Sequence, residues 1–380
     1  MKYLQISQLL INMKVALITV QNANNYGAIF QAYALQNIIS EKSEIEIINY
    51  ENKHISRSFD IIRFKPTVHG VLGTGKDVFR LFPRYRVLKK FKRFIADNLQ
   101  LTVPLSKNDL ENFNWDNYEI FVAGSDQIWN PACISDNNIL DSAYFLNFVP
   151  KGRKKISYAS SMGAYTFSGE EMNQVKHLLQ DFAALSVREK ERQKQLKEEL
   201  DREVHHVLDP SLLLPKTEYL KLIDGKTFDA PKSKYILLYT VPKVPLIKKA
   251  VKYFSEKLGY KVISIEQGLS AGAKVNKQYR DAGPLEFINL FQGAEFVITD
   301  SFHGVCFSVN FEKPFVAVSP GKNVNRMRSL LGALGLEERI IEQEEDFKNL
   351  NVSVDYKQPQ RNLNEMRNSS LDFLFQSLKS

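Results

Sequence analysis

Short apolar runs alternate along the chain with longer segments whose apolar residues recur every three or four positions. VALITV (15–20) has the length and branching of a buried strand, and Gly27 to Ile39 after it has helical spacing. IEIINY (45–50), EIFVAG (119–124), KKISYAS (154–160) and ALSVRE (184–189) are further expected strands, with helices near 170–181 and 190–203. The rhythm restarts after a polar stretch around 222–234. There YILLYT (235–240), KVISIE (261–266), EFVITD (295–300) and PFVAVS (314–319) are expected strands. Helices fall at about 244–258, 284–292, 302–310 and 325–334, and the chain from Asn362 on is helical. Strands alternating with helices define βαβ units around a mostly parallel sheet. The pattern predicts an α/β protein of two Rossmann-like domains, 1–225 and 226–358, facing across a cleft. A last helix is expected over 359–380.

One segment leaves this rhythm. Residues 76–95, KDVFRLFPRYRVLKKFKRFI, interleave Lys and Arg with Phe, Leu and Val at roughly helical spacing, and Pro83 is expected at the helix start. Such a helix can lie on an anionic membrane face. A solvated helix whose apolar side packs on its own domain explains it more simply.

Composition narrows the class. Hydrophobic residues are 44% and charged residues 25% of the 380, as in folded globular proteins. No run approaches the roughly 18 apolar residues of a membrane-spanning helix. The start, MKYLQISQLLINMK, has no signal-peptide pattern, and Met13 opens a cleaner beginning. Cys133 and Cys306 are expected to be reduced and mostly buried, which suits the cytoplasm. A surplus of 51 basic over 43 acidic residues, +8, favours anionic partners without choosing among them. Nucleic acid has no other support.

Two apparent motifs fail. Gly70 to Lys76 has the spacing of a phosphate-binding loop, but Asp77 stands where Ser or Thr is needed, and no strand feeds it. His205 and His206 are adjacent and, on a strand, point to opposite faces. With no HExxH, paired CxxC or calcium spacing either, no metal site is expected.

Four segments carry chemistry. The first strand runs into Asn24, Asn25, Tyr26, Gly27 and Gln31, an amide-rich turn opening a helix. Ligands bind at such carboxyl edges of α/β sheets, although Asn25 can simply cap the helix. The next, Gly124, Ser125, Asp126, Gln127 and Trp129, puts polar side chains beside an aromatic, which suits a sugar. A turn built on Asp126 with Trp129 buried beneath it accounts for the same residues. Arg188, where a strand gives way to a helix, can hold a carboxylate or phosphate, or pair with a carboxylate of the protein. Asp209 is expected to organise its turn. The fourth segment, Thr299-Asp300-Ser301-Phe302-His303, ends a strand and opens a helix, so His303 suits acid–base work. Lys322, Arg326 and Arg328 follow the next strand.

NNYGAIFQAYAL, FVAGSDQIWNP, ISYASSMG, SVREKE, VLDPSLLL and VITDSFHGVCFSVNFEKPFVAVS occur here in order. Together, from about Met13 to Leu336, they resemble the polysaccharide pyruvyl transferase family. The resemblance implies a fold like the GT-B glycosyltransferases, with the last helix, 359–380, crossing back to the first domain. It also implies transfer of a pyruvyl group from phosphoenolpyruvate to two sugar hydroxyls, forming a cyclic ketal, with no separate cofactor. Relatives use a histidine, usually in an Arg-Leu-His motif; here the motif is Ser301-Phe302-His303, so the arginine is missing. By similarity and charge, Arg188 and Lys322 are expected to clamp the donor and His303 to supply the proton. The acceptor, a lipid-linked or nucleotide-linked saccharide, is expected near Asn24 to Tyr26 and Ser125 to Trp129. The location implied is cytoplasmic, with peripheral contact at the inner membrane face. A sugar-nucleotide glycosyltransferase and a non-catalytic glycan or lipid-carrier binding protein are the competing readings.

Overall fold

The computed structural model describes residues 13–61 and 68–379, without the side chains of 68–80, 322 and 323. Two compact units make up the chain. The first comprises Met1–Ser58, Ile95–Leu213 and Asn364–Ser380; the second comprises Phe59–Phe94 and Leu214–Leu363.

The first unit holds β1 (Lys14–Ile18), β2 (Glu44–Ile47), β3 (Ile120–Ala123), β4 (Lys154–Ser157) and β5 (Phe182–Ala184). They pair in the order β2-β1-β3-β4-β5, all parallel. A short ladder of β6 (Ser186–Val187) and β7 (His205–His206) continues from it through the Ser160–Val187 bridge. Strands β1 and β3 are buried almost end to end, the burial expected of parallel strands covered on both faces. Phe121, Trp129, Phe145 and Phe182 fill one core on this sheet.

The second unit repeats the plan with β8 (Tyr235–Tyr239), β9 (Lys261–Ile265), β10 (Lys277–Tyr279), β11 (Phe296–Thr299), β12 (Phe315–Val318) and β13 (Ile340–Ile341). Their order is β10-β9-β8-β11-β12-β13, again parallel. The helix Leu246–Leu258 buries Ile247, Val251 and Phe254 against Phe296 and Phe347.

In each sheet the chain winds one way from its first strand and then crosses to the other side. The reversal lies between β1 and β3 in the first unit and between β8 and β11 in the second. The crevice outside the carboxyl ends at such a reversal is where open α/β sheets bind ligands.

Three expectations need correction. Residues 59–94 belong to the second unit, not the first. Long-range ion pairs put them there: Arg86 Nε lies 3.0 Å from Asp281 and Lys90 Nζ 2.5 Å from Glu286. Pro83 sits inside the helix Val68–Asn98 rather than at its start. An interior proline costs about 3 kcal/mol, and burial of Val87, Leu88, Phe91 and Phe94 in the turns that follow offsets it. Cys133 is exposed, whereas Cys306 is buried. The backbone of Gly70–Lys76 is helical, not a phosphate-binding loop.

The helix Lys357–Lys379 serves both units. Near its start Gln360 donates to Val309 O (3.0 Å) in the second. Farther on, in the first, Arg367 donates to Leu212 O (2.8 Å) and Ser370 Oγ accepts from Leu208 N (3.0 Å). Phe373 there packs on Tyr158 and His205, and Leu374 and Leu378 are buried.

Candidate functional site

At the reversal of the first sheet, two turns are tied together. Thr19 Oγ1 donates to Ser125 O (2.9 Å) and accepts from Gln31 Nε2 (2.8 Å), which also donates to Ala28 O (2.9 Å). Gln31 is fully buried, so it fastens the turn instead of meeting a ligand. Asn25 Oδ1 accepts from Ala28 N (3.2 Å), an ordinary helix cap that leaves the residue exposed. Asn24 is half-buried at the rim, its N–H donating to Ser58 Oγ (2.9 Å); Tyr26 and Gly27 are buried. A Cβ on Gly124 would lie 2.8 Å from Leu17 Cδ1 and 3.0 Å from Thr19 Cβ, so a side chain there would need these neighbours to shift.

Asp126 follows with φ +74°, a left-handed conformation uncommon outside glycine. Its Oδ1 accepts from Gln127 N (2.9 Å) and Arg188 Nη2 (3.1 Å). Arg188 Nη1 meets Asp209 Oδ2 at 2.5 Å, and its Nε is 3.6 Å from Glu189. Ser125 Oγ donates to the same Asp209 oxygen (3.2 Å), while Asp209 Oδ1 accepts from Ser211 N (3.0 Å) and Oγ (2.6 Å). Asp209 thus organises its turn and also neutralises the arginine. Burial works against the charge on Arg188, but Asp209, Asp126 and Glu189 more than offset it and raise its pKa.

The expectation that Arg188 clamps a donor gives way to this geometry. Its side chain is 1% exposed and committed to carboxylates of its own unit, so it positions Ser125 and Asp126. Trp129 also leaves the ligand-contacting set. It is fully buried, donates Nε1–H to Tyr144 O (3.0 Å) and stacks on Phe145 (5.4 Å, 9°), so it offers no face to a sugar. Asp126 and Gln127 remain half-buried at the edge. A Cβ on Gly163 would fall 2.0 Å from Gln127 Oε1, so this glycine lets Gln127 lie against the backbone.

At the reversal of the second sheet, Asp300 Oδ1 accepts from Val241 N (2.8 Å) and Oδ2 from Val244 N (3.2 Å). These bonds fasten the loop after β8 to the loop after β11. Burial raises the Asp300 pKa, and the backbone donors partly counter it. Thr299 Oγ1 accepts from Ser301 N (3.1 Å), and Ser301 Oγ caps the helix Phe302–Asn310 by accepting from Gly304 N (3.4 Å). A Cβ on Gly304 would lie 2.1 Å from Thr299 Oγ1, so only glycine lets this helix sit so close to β11. His303 stands in the first turn, 8% exposed, its ring edge-on to Phe302 at 5.4 Å. The Arg326 guanidinium lies 5.3 Å from the Phe302 centroid. A helix N-terminus beside a cation favours an anion.

Lys322 falls in the turn Gly321–Val324, and its side chain lies outside the described residues. Arg328 pairs with Glu337 and Glu342 at the surface. Sequence reasoning missed Lys243 and Glu266, whose 2.9 Å ion pair lies at the carboxyl ends of β8 and β9, and Tyr239, whose pKa burial raises. Their position at strand ends was the available signal. Among the described residues, no group of three His, Cys, Asp or Glu side chains could hold a metal ion, and no helix is long and apolar enough to cross a membrane.

Two parallel Rossmann-like units, each with a polar constellation at its reversal point, define the GT-B glycosyltransferase-like class. Solved structures of that class match along nearly the whole chain. UDP-GlcNAc 2-epimerase from Methanocaldococcus jannaschii, in complex with UDP-GlcNAc and UDP, is 14% identical with TM-score 0.53, over 93% of this chain and 98% of that one. UDP-GlcNAc 2-epimerase from Neisseria meningitidis, bound to UDP-GlcNAc, is 11% identical with TM-score 0.50, over 96% and 99%. At such identities the likeness shows the fold alone. No curated protein sequence matches. The sequence model of polysaccharide pyruvyl transferase matches residues 25–322, and the chain belongs to that enzyme family.

Proposed function

We propose that the protein transfers a pyruvyl group from phosphoenolpyruvate to two hydroxyls of a sugar in a surface-polysaccharide precursor. The observation that carries this reading is family membership over a span that includes His303 at the reversal of the second sheet. In the proposed reaction the methylene carbon of the donor gains a proton, and one sugar hydroxyl attacks the adjacent carbon. The bond between that carbon and the phosphate-bearing oxygen then breaks, releasing phosphate, and the second hydroxyl closes the ketal. Of the two hydroxyl protons lost, one balances that gained by the methylene carbon and one goes to phosphate. His303 supplies or relays the proton. The helix N-terminus that carries it, with Arg326 and Lys322, favours the donor's phosphate and carboxylate. Asn24, Asn25, Asp126 and Gln127, on the rim of the first unit, offer hydrogen bonds to the acceptor. Ser125, Asp209 and Arg188 hold that rim in place.

The exposed Phe82 and Tyr85, beside Lys89, Lys92 and Arg93, would bring the enzyme to an anionic membrane face where lipid-linked acceptors are built. Arg86 and Lys90 contribute less, because Asp281 and Glu286 already neutralise them.

Ser301, in place of the arginine that usually precedes the family's histidine, is the observation favouring a sugar-nucleotide glycosyltransferase instead. Thermal shift and phosphate release separate the two. Phosphoenolpyruvate at a hundredfold excess over its Kd should stabilise the protein by about 2.7 kcal/mol. It should also release phosphate only when a sugar acceptor is present. A response to sugar nucleotides with none to phosphoenolpyruvate would decide for the glycosyltransferase.

A further inference from the structure

The first unit contains a cavity of about 470 Å3 that none of the residues assigned above lines. Its volume falls within the roughly 300–1,000 Å3 of small-molecule sites. It opens where the chain leaves β2, on the same carboxyl edge as the Asn24–Asn25 turn. Gln21 Nε2 donates to Asn49 Oδ1 (3.4 Å) and Asn24 N to Ser58 Oγ (2.9 Å), so that turn abuts the segment lining the cavity.

The floor is polar and fixed. Tyr50 donates its hydroxyl to Asp141 Oδ2 (2.8 Å), and Asn52 Nδ2 donates to Ile134 O (3.0 Å) while its Oδ1 caps the helix Lys53–Ser56. Tyr50 and Asn52 are buried, and the Asp141 side chain is only 12% exposed. The walls are more open. Lys107 Nζ lies 3.5 Å from Asp141 Oδ1, and His54 Nδ1 lies 2.9 Å from Asp136, whose side chain is 51% exposed. Ile139, 62% exposed, supplies an apolar patch at the rim.

Charge decides the ligand class. Glu51, Asp136 and Asp141 line the cavity against Lys53 and Lys107, and Arg57 is already paired with Asp136. Carboxylates and cations nearly balance there, so neither an anion nor a cation is favoured as the ligand. A neutral polyol meets both acceptors and donors, because each carboxylate has about four lone-pair sites and each ammonium three protons. The exposed Ile139 suits the C–H face of a pyranose.

We propose that this cavity is a saccharide subsite that holds a neutral sugar residue adjoining the one to be modified. The acceptor is then an oligosaccharide, not a single sugar. This rests on the transferase reading only for what happens at the neighbouring residue; binding at the subsite requires no donor.

The test is retention on an array of immobilised mono- to hexasaccharides, neutral and phosphorylated, without phosphoenolpyruvate. The wild type is compared with Asp136→Ala and Ile139→Asp, two exposed rim positions whose replacement should leave the melting temperature unchanged. We expect retention of neutral oligosaccharides of two or more residues, and about tenfold weaker binding in either variant, the equivalent of about one net interaction. Equal retention by wild type and variants overturns the proposal, as does binding confined to monosaccharides or phosphorylated glycans, or no retention. If phosphoenolpyruvate fails to bind while oligosaccharide retention depends on Asp136, the transferase reading falls and the subsite stands. If phosphate is released with monosaccharide acceptors and the variants match wild type, the subsite falls alone.

Discussion

Replacing Arg188 tests whether it is a keystone or a substrate clamp. Its side chain is 1% exposed and lies 2.5 Å from Asp209, which is fully buried, and 3.1 Å from Asp126. Arg188→Met removes the cation and leaves both carboxylates in place. Breaking a buried pair from one side costs about 3–5 kcal/mol, since the remaining charge has lost its water and its partner. For a unit of roughly 190 residues, about 2–4 °C of melting temperature accompanies each kcal/mol, so the variant should melt roughly 6–20 °C lower. The double variant Arg188→Met, Asp209→Leu leaves one buried carboxylate fewer and should recover a good part of the loss. Differential scanning calorimetry of the wild type and both variants reads this directly. An Arg188→Met protein that melts within about 2 °C of wild type while losing phosphoenolpyruvate binding would refute the keystone argument and restore the clamp.

Three further outcomes follow from the same contacts. His303→Gln should lower turnover by roughly 10²–10⁴-fold with a much smaller change in the donor's Kd; near-normal turnover in a single-turnover assay would remove His303 from the chemistry. Burial lowers the His206 pKa below 6.5, a shift partly opposed by the hydrogen bond that the ring donates to the Arg188 backbone carbonyl. The unfolded chain therefore binds the proton more readily, so this residue's contribution to stability is intact above about pH 6.5 and declines as pH falls below it. His206→Gln should flatten the fall in melting temperature between pH 7.5 and 5.5, and an unchanged slope would count against it. Vesicle flotation should show salt-sensitive binding to anionic but not neutral membranes, lost in a Phe82→Ser, Tyr85→Ser variant; equal flotation with both vesicle types would return this helix to a packing role.

Much of the fold could be read directly from the chain. The long apolar runs of β1, β3, β8, β9, β11 and β12 are strands because parallel strands buried on both faces have no polar positions to blur the pattern. β10 and β13 could not be read, since strands of three and two residues present too little periodicity. The grouping of 59–94 with the second unit was equally hidden, because it depends on pairs such as Arg86–Asp281 that are distant in sequence. At the candidate site, residue type marked the right turns but not the depth of each side chain. Trp129 reads as a sugar platform from its polar neighbours, yet the following Phe145 gives it a buried partner. Arg188 carries the charge a clamp needs, and only the fold shows that Asp209 has already claimed it. Asp300 and Ser301, by contrast, cap and fasten as their types suggest.

The first unit is assembled from three stretches of chain, and its third stretch is made only after all of the second unit. All residues of the second unit are synthesised by Leu363, whereas the first still lacks Asn364–Ser380. At roughly 5–20 residues per second, the intervening residues 214–363 take on the order of 8–30 s to make. Throughout that interval the surface beneath Phe373, Leu374 and Leu378, including Tyr158 and His205, is without its cover. Maturation of this protein thus runs against the order of its synthesis, and a nascent chain released early would keep a second unit with its full sequence beside a first unit with an open apolar seam. Chaperone demand during expression should therefore fall once Phe373, Leu374 and Leu378 cover that surface.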